Sequence, residues 1–225
     1  MKTVEYAPGR SADVFGDSAQ PTVLLWHGMQ ADARAAVRPL AGLLAERGVG
    51  VVAPDWDSHS RDGGRADLLR SLDFARNRAD EPDGMVLVGW SLGGVAAAAV
   101  ALEAAHALVR TVCLAGAFMA PDPIYGRLVT DGPLPGPLSG QAGSPFTLLH
   151  GLADDLVPVT ASRVFAARLQ QAGWPVEAAE LAADHGSIAG AEYDPFADRY
   201  RPARDREPLR VAGEVAARIA ATLGH

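Results

Sequence analysis

The most constraining feature of this sequence is a serine between two glycines, in the stretch Gly89-Trp90-Ser91-Leu92-Gly93. The apolar run Met85–Val88 precedes the stretch, and a run rich in alanine begins at Val95. This order predicts a buried strand that turns sharply into a helix, with Ser91 at the apex of the turn. Side chains two residues before and two residues after the serine would crowd the neighbouring backbone, and glycine removes that obstacle. The stretch therefore predicts a strand–turn–helix unit that makes a serine accessible.

Short apolar runs alternate with helical patterns along most of the chain. The runs that we interpret as strands are Thr3–Ala7, Asp13–Phe15, Thr22–Trp26, Val49–Ala53, Met85–Val88, Val109–Ala117, Phe146–Leu149 and, as the last strand, Val176–Leu181. The first two are expected to form an edge hairpin. Because strands that alternate with helices pair in parallel, the sequence predicts a single α/β domain over residues 1–225. We expect a mostly parallel central sheet of about six to eight strands, with helices on both faces.

Five segments have the spacing of apolar residues that is typical of helices. They are a helix with Pro39 in its first turn and Gly48 as its stop, a helix with Leu68, Leu69 and Leu72, an alanine-rich helix over Val95–Ala107, a helix with Thr160 as its N-cap, and a final helix over Leu209–Leu223. Small side chains would let the alanine-rich helix lie close to the sheet behind Ser91.

Three segments interrupt the alternation of strands and helices. Residues Trp56–Arg65 form a polar loop, and Glu192–Glu207 are expected to form a charged loop. Residues 119–145 contain six prolines and five glycines and have no clear period. A structureless stretch of that length in a compact domain is usually a lid or a binding loop. We therefore predict a lid or binding loop over 119–145 and otherwise a minimal cap.

The composition excludes several classes of protein. The net charge of −7, from 20 basic and 27 acidic residues, argues against a nucleic-acid partner and a polybasic membrane patch. The single cysteine, Cys113, rules out an internal disulfide, and its apolar neighbours indicate a buried small side chain. The N-terminal residues Met1–Tyr6 lack the apolar region of a signal peptide, and no apolar run approaches the roughly 20 residues of a membrane span. We expect a cytoplasmic protein.

Residues capable of catalysis occur where the predicted strands end. In open parallel sheets, ligands bind beyond the carboxyl ends of the strands. The ends of three predicted strands are followed by Ser91, Asp154 and His185. Serine, acid and histidine in this chain order are typical of the α/β-hydrolase triad.

Taken together, these motifs resemble the α/β-hydrolase superfamily, in the group of small esterases and lipases that includes dienelactone-hydrolase-like proteins. The resemblance covers nearly the whole chain, from the His27-Gly28 turn to the final helix. Its specific motifs are the glycine-flanked Ser91, the acid loop Gly151-x-x-Asp154-x-x-Val157-Pro158, and the histidine after the last predicted strand. The resemblance implies the α/β-hydrolase fold. Dienelactone hydrolases proper have a cysteine nucleophile, so Ser91 at that position favours ester hydrolysis instead.

A serine hydroxyl is a poor nucleophile until a base removes its proton, so Ser91 needs an imidazole within hydrogen-bond reach. His185 is preferred among the six histidines because of the triad order. His59 is its rival, since the loop that carries His59 is expected to border the site. The remaining histidines are less favoured: His27 and His150 each precede a glycine at a strand end, His106 lies on the helix behind the serine, and His225 is the last residue.

The imidazole in turn needs a carboxylate that fixes its tautomer and stabilises the imidazolium. The resemblance assigns this role to Asp154, three residues after Gly151. Asp155 is adjacent and would replace it if the turn were one residue out of register. Asp184 is interpreted as a solvated loop charge, because side chains of neighbouring residues such as Asp184 and His185 rarely face each other.

The resemblance also assigns an oxyanion hole to two backbone N–H groups, those of Met29 and Leu92. Because the backbone would perform this task, the identity of the two side chains carries little information. Five side chains near the strand ends are candidates for lining the substrate pocket: His27, Trp56, His59, Trp90 and Phe118. For the three aromatic residues, ordinary core packing is an equally good interpretation.

The resemblance implies a carboxylesterase-like serine hydrolase that cleaves small carboxylic esters through an acyl-enzyme, without a cofactor. A thioesterase, a lysophospholipase or a peptidase on the same fold stays open, as does a non-catalytic binding protein that keeps the fold. The sequence contains no phosphate loop, dinucleotide fingerprint or metal-ligand cluster, so no metal is expected. The expected partner is a small-molecule ester, and the expected assembly is a monomer or a homodimer.

Overall fold

The computed structural model describes residues 1–16, 22–78, 84–103, 108–137 and 143–223. Within these ranges, one large sheet contains the strands β1 (Lys2–Ala7), β2 (Arg10–Phe15), β3 (Thr22–Trp26), β4 (Gly50–Pro54), β5 (Val86–Trp90), β6 (Arg110–Leu114), β7 (Phe146–Gly151) and β8 (Val176–Leu181). Their order across the sheet is β1-β2-β4-β3-β5-β6-β7-β8. The pairs β1–β2 and β2–β4 are antiparallel, and the pairs from β4 to β8 are parallel. The predicted edge hairpin and the mostly parallel α/β sheet are confirmed.

Helices cover both faces of this sheet, as predicted. They are α1 (Arg38–Ala45), α2 (Arg65–Arg78), α3 (Leu92–Leu102), α4 (Thr160–Gln171) and α5 (Arg206–Ala221). Helices α2, α3 and α4 belong to one buried apolar cluster, and α1 and α5 belong to a second cluster on the opposite face. Strands β3, β4 and β5 are buried at every residue, because both of their faces are covered. None of the helices in the described ranges has the length and apolar character needed to cross a lipid bilayer.

Helix α3 lies against the centre of the sheet, directly after the strand end that carries Ser91. Every residue of Gly93–Leu102 is buried, and most of these residues are alanine, glycine or valine. The helix begins at Leu92, earlier than predicted, because the turn at Ser91 leads straight into it: the Gly94 N–H donates to the Ser91 carbonyl at 3.0 Å. Residues 104–107 of the predicted helix, with His106, lie outside the described residues, as does His225.

The predicted start of α4 and the predicted end of β6 are wrong. Thr160 is the first residue of α4 and not its N-cap, because Val159 before it already has helical dihedral angles of φ −54° and ψ −25°. The strand predicted over Val109–Ala117 ends at Leu114. Ala115 then adopts a positive φ of 46°, which ends the extended conformation.

The charged region Glu192–Glu207 is not the predicted loop. It contains a two-stranded antiparallel hairpin, β9 (Ala191–Asp194) and β10 (Arg199–Pro202), so β8 is not the last strand of the chain. The Asp194 carboxylate accepts the N–H of Phe196 at 3.0 Å within the hairpin turn and forms an ion pair with Arg201 at 3.1 Å. The charged residues therefore stabilise the hairpin turn and the pairing of its two strands.

Residues 119–137 and 143–145, which are the described parts of the segment 119–145, contain neither helix nor strand. Residues 138–142 lie outside the described residues. The segment begins with an ordered turn around Asp122, whose residue surface is 1% exposed. The Asp122 carboxylate accepts the N–H groups of Ile124 at 2.9 Å and Tyr125 at 2.6 Å. The role of residues 119–145 as a lid or binding loop stays a prediction.

Candidate active site

Ser91 lies at the point where β5 ends and α3 begins. Its φ of 56° and ψ of −118° are unusual for a residue with a side chain, and such a conformation persists only where the surroundings enforce it. The Ser91 N–H donates to the Leu114 carbonyl at 2.9 Å, and the Ser91 carbonyl accepts the N–H of Ala117 at 3.2 Å. These bonds fix the strained backbone between β5, β6 and α3.

The two glycines that flank the serine are required by close backbone contacts. A Cβ atom at Gly89 would overlap the backbone of Gly93, and a Cβ atom at Gly93 would overlap the His27 carbonyl. A Cβ atom at Gly28 would lie 3.1 Å from the Ser91 Cβ. The serine turn and the His27-Gly28 turn are therefore in direct contact.

Asp154 and His185 form a buried pair at the ends of β7 and β8. The His185 Nδ1 lies 2.7 Å from the Asp154 Oδ2, and the two side chains are 3% and 0% exposed. The Asp154 Oδ1 accepts the N–H groups of Leu156 at 3.0 Å and Val157 at 2.8 Å. Because the carboxylate can only accept, His185 carries its hydrogen on Nδ1, and its Nε2 is free to take a proton. Asp155 is exposed.

Hydrogen bonds keep the Asp154 carboxylate ionised. Burial raises its pKa, but the interactions with His150 and His185 and the N–H of Val157 outweigh burial and hold the pKa well below its usual range. Asp184 has a separate task, because its Oδ1 accepts the N–H groups of Gly186 at 2.9 Å and Ser187 at 2.8 Å.

The His185 ring packs between two aromatic side chains. The Trp90 indole N–H donates to the His185 carbonyl at 2.7 Å, and the centres of the two rings are 5.5 Å apart. Tyr200 of β10 lies 5.8 Å from the His185 ring and 5.0 Å from the Trp90 ring. Burial, together with the nearby Asp154 carboxylate, raises the pKa of Tyr200 to about 12. The sequence pattern does not indicate Tyr200, because a charged segment predicts a loop, although an aromatic residue within that segment is a usable signal.

The described residues contain no hydrogen bond between the Ser91 Oγ and His185. The structure joins the imidazole directly to Asp154, and it links Ser91 to His185 through the neighbouring Trp90. Bonds between a catalytic base and its partner are often long before the substrate is bound.

The backbone N–H groups of Met29 and Leu92 lie on the two turns that meet at Ser91. Neither donates a hydrogen bond to any other part of the described chain. The Leu92 N–H is the first of α3, where no partner within the helix exists. Both donors are therefore available to an oxyanion.

His27 holds the turn that carries Met29. Its Nε2 accepts the N–H groups of Ala33 at 3.2 Å and Trp56 at 3.3 Å, so Nδ1 carries the hydrogen and donates to the Gly28 carbonyl at 2.8 Å. Burial lowers the pKa of His27 to about 4. A neutral imidazole therefore organises this loop at physiological pH.

The candidate pocket residues occupy different positions. Trp56 is buried, stacks on His27 with ring centres 5.3 Å apart, and donates its indole N–H to the His27 carbonyl. Trp56 and Trp90 thus support the site from behind. The His59 side chain is 67% exposed and its Nδ1 lies 3.8 Å from an Asp57 carboxylate oxygen, whereas the imidazole bonded to Asp154 is that of His185.

Phe118 is buried and stacks on Phe165 with ring centres 4.1 Å apart, and it also forms part of a cleft of about 360 Å³. The cleft is lined by Phe118, Met119, Thr130, Pro158, Thr160, Ala161, Val164 and Arg168. It lies between α4 and the first part of the segment 119–145. No group of three or more acidic, histidine or cysteine side chains able to hold a metal occurs in the described ranges.

Comparisons with known proteins agree with this architecture. The model of the alpha/beta hydrolase family matches residues 23–223. No match was found among curated protein sequences.

Solved structures with the same fold include esterase 2 of Thermogutta terrifontis, described as a thermophilic esterase, in propionate-bound and butyrate-bound forms. Each has a TM-score of 0.72 and 18% identity, over 99% of this chain and 94% of that chain. MGS-M1, an alpha/beta hydrolase enzyme from a Medee basin deep-sea metagenome library, has a TM-score of 0.70 and 17% identity, over 100% of this chain and 98% of that chain. At these identities the likeness shows the fold.

Proposed function

Because the chain belongs to the alpha/beta hydrolase family, we propose that it is a serine hydrolase that cleaves small carboxylic esters through an acyl-enzyme intermediate. The observation that carries this proposal is the buried His185–Asp154 pair, with 2.7 Å between Nδ1 and Oδ2. Its tautomer leaves the His185 Nε2 free to act as a base. The strained backbone of Ser91 supports its role as the nucleophile.

In the proposed reaction, the Ser91 Oγ attacks the ester carbonyl while the His185 Nε2 removes its proton. The Asp154 carboxylate stabilises the imidazolium that forms. The N–H groups of Leu92 and Met29 stabilise the negative oxygen of the tetrahedral intermediate. His185 then gives the proton to the departing alcohol, and a water molecule, activated in the same way, hydrolyses the acyl-enzyme.

The cleft beside Phe118 supports a substrate with a short aliphatic acyl chain. Its walls are mainly apolar, and Arg168 is its one charged lining residue in the described ranges. One wall contains Phe118, which comes directly after Ala117 in the chain, and the Ala117 N–H donates to the Ser91 carbonyl. Another wall contains Pro158 of the acid loop. Esterase 2 of Thermogutta terrifontis, which has the same fold, has been solved with propionate and with butyrate. A cytoplasmic location, a single domain and a monomeric or homodimeric state stay predictions from the sequence.

A fluorophosphonate probe tests the proposal, because it modifies an activated serine covalently. We expect the wild-type protein to be labelled and to hydrolyse p-nitrophenyl acetate and butyrate, and we expect Ser91→Ala and His185→Ala to lose both activities. His59→Ala is the matched control for the histidine and is expected to keep both. An unlabelled wild type, or equal labelling of Ser91→Ala, would refute the proposal.

A further inference from the structure

A second imidazole, that of His150, lies beside the Asp154 carboxylate. His150 is the fifth residue of β7, one position before Gly151, and its side chain is 1% exposed. A buried imidazole with polar partners on both nitrogens has a defined tautomer and orientation. The proposed reaction assigns no task to this residue.

Each ring nitrogen of His150 has a partner. Nδ1 lies 2.7 Å from the hydroxyl oxygen of Ser162, a residue of α4 that is 4% exposed. Nε2 lies 2.9 Å from the Val157 carbonyl oxygen and 3.4 Å from the Asp154 Oδ2. The His150 ring therefore connects α4, the acid loop and the carboxylate that is bonded to His185.

The partners decide which nitrogen of His150 carries a hydrogen. The Val157 carbonyl and the ionised Asp154 carboxylate only accept, so the hydrogen of the His150 ring belongs on Nε2. In the neutral ring, Nδ1 then accepts the hydrogen of the Ser162 hydroxyl, which has no other partner within the described chain. The Asp154 Oδ2 thus faces two imidazole N–H groups, a close one from His185 and a more distant one from His150.

We propose that His150 is a positioning residue, which acts on the reaction through Asp154. Its Nε2–H, held in place by Ser162 and the Val157 carbonyl, keeps the Asp154 Oδ2 directed at the His185 Nδ1. This inference rests on the proposed hydrolase activity.

Within the described ranges, no other carboxylate competes for His150. Glu180 is the β8 residue paired with it in the sheet, but the Glu180 carboxylate is held by the Arg163 guanidinium with two contacts of 2.7 Å. The charged group that the Nε2 of His150 approaches is therefore Asp154.

Two amide substitutions separate the role of each nitrogen. In His150→Gln the amide nitrogen can occupy the position of Nε2, so a donor toward Asp154 and Val157 is kept. In His150→Asn the shorter side chain places its amide near the position of Nδ1, so it reaches Ser162 but not Asp154. Both variants keep a buried polar side chain and serve as controls for each other.

We expect His150→Asn to lower kcat for p-nitrophenyl butyrate by roughly 10- to 100-fold, the range that loss of an outer hydrogen-bond partner costs at metal sites, with KM unchanged. We expect His150→Gln to stay within about threefold of the wild-type kcat, because a donor toward Asp154 is kept and threefold is near the lower end of the net value of one hydrogen bond. The far-downfield proton resonance of the His185 Nδ1–H should be kept in His150→Gln and lost or shifted in His150→Asn. If His150 only stabilised the loop, its substitution would lower the melting temperature and leave the His185 resonance in place.

Equal activity of the two amide variants, or a wild-type kcat in His150→Asn, would overturn the inference. If both variants fail to fold, Ser162→Ala decides, because it frees the ring at Nδ1 alone: a lower kcat with unchanged KM supports the inference, and a wild-type kcat overturns it. A wild type that the fluorophosphonate probe does not label would instead refute the proposed function, so the two failures are distinguishable.

Discussion

Two strands of the sheet end in the same dipeptide, His27-Gly28 after β3 and His150-Gly151 at the end of β7, yet the two imidazoles have opposite surroundings. The Nε2 of His27 accepts two backbone N–H groups. The Nε2 of His150 faces a carbonyl and a carboxylate, which are both acceptors. The hydrogen therefore lies on Nδ1 in His27 and on Nε2 in His150.

The dipeptide alone therefore does not determine the role of its histidine. The groups that decide the tautomer come from other parts of the chain: Ala33 and Trp56 for His27, Asp154 and Val157 for His150. The first turn holds a neutral imidazole that supports backbone donors. The second holds an imidazole beside the charged carboxylate.

We expect the greatest loss of activity when the charge of Asp154, the carboxylate beside His150, is removed. Asp154→Asn keeps the size of the side chain but lets it donate a hydrogen to His185, which favours the wrong tautomer. We expect kcat for p-nitrophenyl butyrate to fall by roughly 10⁴-fold, as for the equivalent change in a serine protease triad. Stopped-flow or long-time-course assays at pH 7.5 measure the loss.

Asp155→Asn is the matched control, because Asp155 is the exposed neighbour that the sequence left as an alternative. It is expected to keep the wild-type kcat within about twofold, since a surface charge has little effect on a buried pair. A loss of activity in Asp155→Asn that equals the loss in Asp154→Asn would contradict the assignment of the acid.

Protonation of His27 makes the stability of the protein depend on pH. Burial lowers the pKa of His27 to about 4, whereas the unfolded chain binds a proton with a pKa near 6.5. Between these values the unfolded state holds more protons, so stability falls as pH falls, and the full difference corresponds to about 3 kcal/mol. We expect urea unfolding to show this loss between pH 7 and pH 4, and we expect His27→Gln to lose correspondingly less stability over the same window.

Other acidic and basic groups titrate in both proteins, so the difference between the two pH profiles isolates His27. Parallel profiles for wild type and His27→Gln would mean that His27 binds its proton equally well in the folded and the unfolded state, which would contradict the lowered pKa. The Asp154 pair would respond in a separate range. Because the folded pKa of Asp154 is lowered, its contribution to stability is present above the unfolded pKa and is lost only as pH falls through the lower folded value.

Much of the fold and part of the site could be predicted because the signals are local. The glycines around Ser91 report a tight turn, and the apolar runs report strands buried on both faces. Asp154 and His185 could be named because they follow strand ends that meet at one edge of a parallel sheet.

The residues that the sequence did not indicate depend on contacts between distant segments. Tyr200 reaches His185 only because a charged segment folds into a hairpin. His150 meets Ser162 only because α4 packs beside β7. The sequence also does not show whether Trp56 and Trp90 line the pocket or are buried beneath it, because both positions give the same sequence pattern.

The two glycines of the repeated dipeptide are expected to differ, by a smaller amount, in what an alanine substitution costs in unfolding free energy. A Cβ atom at Gly151 would overlap the carbonyl of Ala183, whereas a Cβ atom at Gly28 would lie 3.1 Å from the Ser91 Cβ. Gly151→Ala must therefore displace backbone and is expected to cost about 2 kcal/mol of unfolding free energy, within the usual range for overpacking. Gly28→Ala needs only a small shift of Ser91, so we expect a nearly unchanged unfolding free energy and a lower kcat. Urea unfolding and ester assays on both variants measure these quantities, and a larger loss of stability in Gly28→Ala would show that the His27 turn is the more rigid of the two.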